Sequence, residues 1–155
     1  MEEYIDKKQI KILYKAYLFN KFISIYIALI IAFVLINFTG VIDVSGYGII
    51  LDFFVFVFAI FAHIQGRKLK IRSTGPVLIY LSELLGLIST TLTFVATNQN
   101  TYGLYVAVLI INIISLLVRM IAAILTFLTA KSLKGKYPNL IQDYQKTRKS
   151  VENTK

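Results

Sequence analysis

The chain has 155 residues, of which 57% are hydrophobic and 16% charged, and its 17 Lys and Arg outnumber its 8 Asp and Glu to give a net charge of +9. Soluble domains carry about 25% charged residues, so this composition and a mean hydropathy of +0.69 exclude an ordinary water-soluble fold. The absence of cysteine excludes disulfides, thiolate nucleophiles and cysteine metal sites.

The apolar residues gather in four blocks, 22–38, 47–64, 76–96 and 104–130. A hydrocarbon core of about 30 Å needs roughly 20 helical residues. A soluble bundle would show apolar stripes beside polar faces, whereas these blocks are apolar nearly all round. The sequence therefore reads as an all-α, polytopic integral membrane protein: one domain, a bundle of four spans.

Residues 1–21 precede the first span and hold Lys7, Lys8, Lys11, Lys15 and Lys21. Ile10, Leu13, Tyr14 and Tyr17 fall on one helical face. This segment is either a short helix lying on the bilayer surface or a plain extension of span 1. No A-x-A site follows the first block, so it is expected to be retained rather than cleaved as a signal peptide.

The connections 39–46 and 97–103 contain no Lys or Arg and are rich in turn formers. Five residues into the second span stands Asp52, about 8 Å below the outer surface at 1.5 Å per residue. At that depth it is expected to be a separate outer-leaflet acid, out of reach of Arg119 and satisfied by water, Asn37, Tyr102 or Tyr105. Phe53, Phe54, Phe56, Phe58 and Phe61 make the same span read as facing lipid or a partner. His63, the one histidine, reads as a flank residue.

Arg67, Lys68, Lys70 and Arg72 separate spans 2 and 3, and Pro76 opens the third, where its missing N–H is no loss. The tail 131–155 is basic and interrupted by Gly135 and Pro138. In all, 16 of the 17 basic residues fall at the N-terminus, in the 65–75 loop or in the tail. The positive-inside rule then places both termini and that loop in the cytoplasm, with the basic flanks against anionic inner-leaflet lipids. Tyr47, Tyr102 and Tyr105 would lie at the outer interface, and Tyr14, Tyr17 and Tyr80 at the inner one.

The remaining basic residue is Arg119, inside the fourth block, about 22 Å from its outer end and about 16 Å from its inner end. An unpaired arginine at that depth costs between about 2.5 and 17 kcal/mol. Glu83, on the neighbouring third span and about 10 Å from its inner end, is the expected partner in a bidentate ion pair. Gly86, Thr90 and Thr97 near the Glu83 stripe, with Asn112 and Ser115 before Arg119, are expected to form a supporting polar face. A protonated Glu83, or an acid from a partner protein facing Arg119, are the other arrangements open to these residues.

No catalytic dyad, phosphate-binding glycine loop or metal-ligand cluster appears in the sequence, and neither a cofactor nor nucleic acid is expected. The sequence points to a non-enzymatic accessory, regulatory or immunity-type protein of the plasma membrane, of bacterial flavour in its Lys, Ile and Asn usage. It would work through helix contacts with a membrane-protein partner or as a homo-oligomer. The alternative is a protomer of a small oligomeric transporter or channel that uses Glu83, Arg119 and Asp52.

Overall fold

The computed structural model describes residues 6–40, 45–71, 73–99 and 102–152. Among these the chain is all-helical: α1 (Lys7–Phe38), α2 (Ser45–Lys68), α3 (Thr74–Gln99), α4 (Tyr102–Lys136) and α5 (Leu140–Glu152). The first four are long and apolar enough to cross a membrane. Residues 41–44 of the first turn, residues 100–101 of the second, Arg72, Lys155 and the Tyr47 side chain lie outside the described residues.

α1 packs against α2 and α4, and α3 packs against α4 and α2. The four helices thus form a ring in chain order, as short connections between successive antiparallel helices require. The two ends of this bundle differ. The basic end carries the start of α1, the α2–α3 connection and the end of α4; the turn end carries the other two connections.

The buried residues of α1 include Leu13, Ala16, Asn20, Ile23, Ile27 and Ile30. Their alternating steps of three and four residues are those of helices crossing at a shallow left-handed angle. The facing seams use small residues: Ala59 and Ala62 on α2, Ser82, Ser89 and Ala96 on α3, and Ala122 and Thr126 on α4. Small residues let helix backbones approach. One close approach is at Gly75, where a Cβ would stand 2.6 Å from the Thr126 Cγ2 and 3.2 Å from its backbone nitrogen. At the far end of α1, Gly40 adopts φ +68°, the left-handed conformation that commonly stops a helix.

The phenylalanines of α2 divide between two environments. The Phe58 ring lies tilted, 5.5–5.9 Å from Phe19, Phe22 and Tyr26 on α1, and Phe61 stacks 5.2 Å from Phe19. Phe53, by contrast, is exposed. Phe54, Phe56 and Phe61 are exposed as well, so the outward-facing reading describes four of the five; Phe58 is the exception, because α1 brings its own rings and aromatic pairs offer more than area alone.

α1 and α4, of 32 and 35 residues, are about 48 and 52 Å long at 1.5 Å per residue, well beyond a hydrocarbon core of about 30 Å. The basic end, called the overhang below because α1 and α5 close over it, has its own core of Leu13, Ala16, Tyr17, Ala130, Leu133 and Leu140. Residues 7–21 therefore do not form a separate surface helix. From Lys7 they are the first turns of α1, with their apolar face turned to α4 and α5. Nor is the tail simply a polar extension. α4 runs through Gly135 to Lys136, the chain turns at Pro138, and α5 folds back so that Tyr144 stacks on Tyr14 at 3.9 Å and 8°. Tyr14 and Tyr17 belong to this cluster.

A charge triad as the candidate functional site

Arg119 stands in the α4 seam between Ser115 and Ala122, both buried, one helical turn from each. From there its guanidinium reaches two helices. Its Nη2 donates to Glu83 Oε1 on α3 at 3.0 Å and to Asp52 Oδ2 on α2 at 3.0 Å. Its Nη1 lies 2.9 Å from Asp52 Oδ1, and Nε donates to Ser82 Oγ at 3.3 Å. The side chains are largely enclosed, at 17% exposure for Arg119, 30% for Asp52 and 26% for Glu83.

Asp52 is the main correction. It is not a separate outer-leaflet acid; it meets Arg119 along both carboxylate oxygens. Depth counted from the outer ends of the blocks placed Arg119 roughly 14 Å below Asp52. Counted from the inner ends, Asp52 is 12 residues before Ile64 and Arg119 is 11 residues before Ala130, a difference of less than about 2 Å. The fourth block is the long one, and its surplus lies toward the turn end. Glu83 sits nearer the basic end, and the long arginine side chain spans the interval between the two acids.

The supporting residues also sort differently from the expected face. Ser115 donates to the backbone oxygen of Ser82 at 3.2 Å, and Asn112 Oδ1 accepts from Ser89 Oγ at 2.7 Å, so both join α4 to α3. Gly86 and Thr90 do not. A Cβ on Gly86 would meet nothing within 4 Å, and the exposed Thr90 donates only to the Gly86 carbonyl of its own helix. The true seam of α3 is Ile79, Ser82, Ser89 and Ala96, one residue before the Glu83, Gly86, Thr90, Thr97 stripe. One residue is 100° around a helix, enough to turn Gly86 and Thr90 out of the interface. Glu83 reaches Arg119 from the flank of the seam because its side chain is long.

Ser82 and Ser89 are the functional residues missed from sequence. Ser82 is fully buried. Its Oγ donates to the Ile79 carbonyl at 2.8 Å while accepting from Arg119. Their heptad spacing, continued by Ala96, was the available signal. His63 is half-buried with its ring 5.8 Å from Tyr80, apart from the triad.

Chemically, the site is one permanent cation between two carboxylates. Two charge-assisted contacts on a rigid planar donor fix the relative depth and rotation of three helices. With both acids ionised, the group carries one negative charge in excess. Asp52 Oδ1 is buried with the guanidinium charge beside it but no hydrogen bond of its own. The chain matches no protein-family model, no curated protein and no solved structure.

Proposed function

We propose that this is a non-enzymatic, multi-pass protein of a bacterial plasma membrane, with both termini cytoplasmic, serving as an accessory, regulatory or immunity-type subunit through helix contacts with a membrane-protein partner. One observation carries the reading: the charges within the spans are spent on one another. Arg119 has two acids of its own chain and needs none from a partner. What the bundle offers outward is apolar helix surface, with Leu87 on α3 and Leu117 on α4 among its exposed residues.

The topology has a clean test because the chain lacks cysteine. A single cysteine replacing Asn98 at the turn end is expected to react with a membrane-impermeant maleimide on intact cells. One replacing Lys8 at the basic end should react only after permeabilisation. For the function, photo-crosslinkers at Leu87 and Leu117 should capture one discrete membrane protein, and that protein should co-purify in mild detergent. Recovery of nothing but a homo-oligomer of the chain defeats the accessory reading.

The excess negative charge favours a second reading, a protomer of an oligomeric transporter or channel in which Asp52, Glu83 and Arg119 hold a proton or small cation. Reconstituted protein would then support flux that Asp52→Asn abolishes while the fold is retained. An accessory protein would show no flux to lose.

A further inference from the structure

At the basic end an open cleft of about 610 Å³ lies between α4 and the α2–α3 connection. On its α4 wall stand Leu125, Leu128, Thr129, Ser132 and Lys136. They share one helical face at steps of three or four residues, and with Leu133, which also lines the cleft, they run from two leucines through two hydroxyls and a third leucine to one cation. Over the roughly 16 Å from Leu125 to Lys136, the wall passes from hydrocarbon to positive charge in the direction that leads out of the spans. The opposite wall repeats the pairing with Leu69, Ile71 and Lys70. α3 begins deeper in the cleft, with Thr74 and Gly75 at the level of Thr126.

Lys70 is placed there against its backbone preference. Its φ is +53°, in the region where glycine or asparagine ordinarily ends a helix. With Lys136 across the cleft, the mouth carries two cations. Among the described residues that line it, none is acidic.

We propose that this cleft binds one anionic phospholipid, with the phosphate between Lys70 and Lys136, the glycerol region beside Thr129 and Ser132, and an acyl chain against Leu125 and Leu128. A soluble phosphate compound would leave the leucine floor unmatched, and a zwitterionic lipid would bring its own cation against the lysines. The inference rests on the membrane placement proposed above, since it sets the cleft at the level where headgroups meet hydrocarbon.

The test uses the full chain in mild detergent, titrated with short-chain phosphatidylglycerol or phosphatidylcholine and read by native mass spectrometry. The expected result is one bound phosphatidylglycerol per chain and much weaker binding of phosphatidylcholine. Neutralising the pair with Lys70→Gln and Lys136→Gln should weaken phosphatidylglycerol binding roughly 30-fold, taking about 1 kcal/mol per lysine. The equally charged change Lys146→Gln with Lys149→Gln, on the exposed part of α5, should leave binding intact. Leu128→Trp should block the lipid with both lysines present. Equal weakening by the two lysine pairs would reduce the cleft to diffuse surface charge. Displacement by millimolar inorganic phosphate would make it a free-anion site, and a lipid-free dimer that closes the cleft would give it to a second copy; either result overturns the proposal. Failure of the membrane reading itself is visible separately, because the chain would then leave cells without detergent.

Discussion

The triad region and the basic overhang solve the same problem, holding helices together, with opposite chemistry. Among the spans, α4 is tied to α2 and α3 by Arg119, Asp52, Glu83, Ser82, Ser115 and the Ser89–Asn112 bond. In the overhang, α1, α4 and α5 meet through Leu13, Ala16, Tyr17, Leu133 and Leu140, with lysines pointed outward. Under the membrane placement proposed above, with the spans in lipid and the overhang in water, the surrounding medium accounts for the inversion. Lipid tails are as apolar as leucine, so burying an isoleucine between spans gains little over leaving it in lipid, and polar contacts and close packing must select the partner helix. In water the hydrophobic effect suffices, and a charge is better left solvated.

The largest expected effect comes from breaking the polar half of that comparison. Arg119→Met leaves Asp52 and Glu83 facing each other without their cation. Removal of one partner from a buried charge group costs about 3–5 kcal/mol, read as a lower denaturant midpoint when the protein is unfolded from mixed micelles by SDS. Adding Asp52→Asn and Glu83→Gln to Arg119→Met should return most of that loss, because the penalty belongs to the uncompensated acids. If the triple variant is no more stable than Arg119→Met, the triad contributes something other than charge balance.

The apolar half breaks differently. Leu133 is nearly fully buried, at 4% exposure, in the overhang core. Leu133→Ala should cost about 2–4 kcal/mol, as for other buried leucines, and the damage should stay local. Hydrogen exchange is expected to rise along α5 and the first turns of α1 while the amides around Arg119 remain protected. Faster exchange throughout the four long helices would show that the two regions are one cooperative unit and that the division drawn between them is wrong.

How much of this was legible beforehand follows the same division. Four long helices in the expected places, and an acid on α3 facing Arg119, come directly from block lengths and from the cost of a bare cation in hydrocarbon. Asp52 was misjudged because depth depends on which end of a block is taken as the membrane surface, and blocks of unequal length give two answers. Gly86 and Thr90 were assigned to the interface because Glu83 was taken to lie on the seam; a flexible charged side chain can act from the flank, whereas Ser82 has no such reach and marks the seam faithfully. α5 was hidden for another reason. Its amphipathic pattern is short and rich in charge, and only the apolar faces of α1 and α4 beyond the spans give it something to fold against.

A smaller and opposite effect is expected at Lys70. A non-glycine residue in the left-handed region carries a backbone cost of about 1–2 kcal/mol. Lys70→Gly in detergent without anionic lipid should therefore stabilise the protein by about 1 kcal/mol, seen as a higher unfolding midpoint. Anionic phospholipid should narrow the gap by stabilising the native chain more than the variant. A Lys70→Gly protein that is less stable even without lipid would mean that the lysine side chain makes a structural contribution of its own at the turn.

The finest test asks what a single neutral hydrogen bond contributes among the spans. Ser89 Oγ donates to Asn112 Oδ1 at 2.7 Å, well away from the triad's charges along both helices. Ser89→Ala and Asn112→Ala, alone and together, form a double-mutant cycle whose coupling energy isolates that bond. Hydrogen bonds between membrane helices average about 0.6 kcal/mol and reach about 1.7, because a helix separated in lipid satisfies its polar groups in other ways. A coupling near 0.6 kcal/mol makes Ser89 and Asn112 a device for register, with Arg119 supplying most of the polar stability. A coupling well above about 2 kcal/mol would move that weight from the triad to the hydroxyl seam, and the contrast with the overhang would then rest on hydrogen bonding rather than on charge.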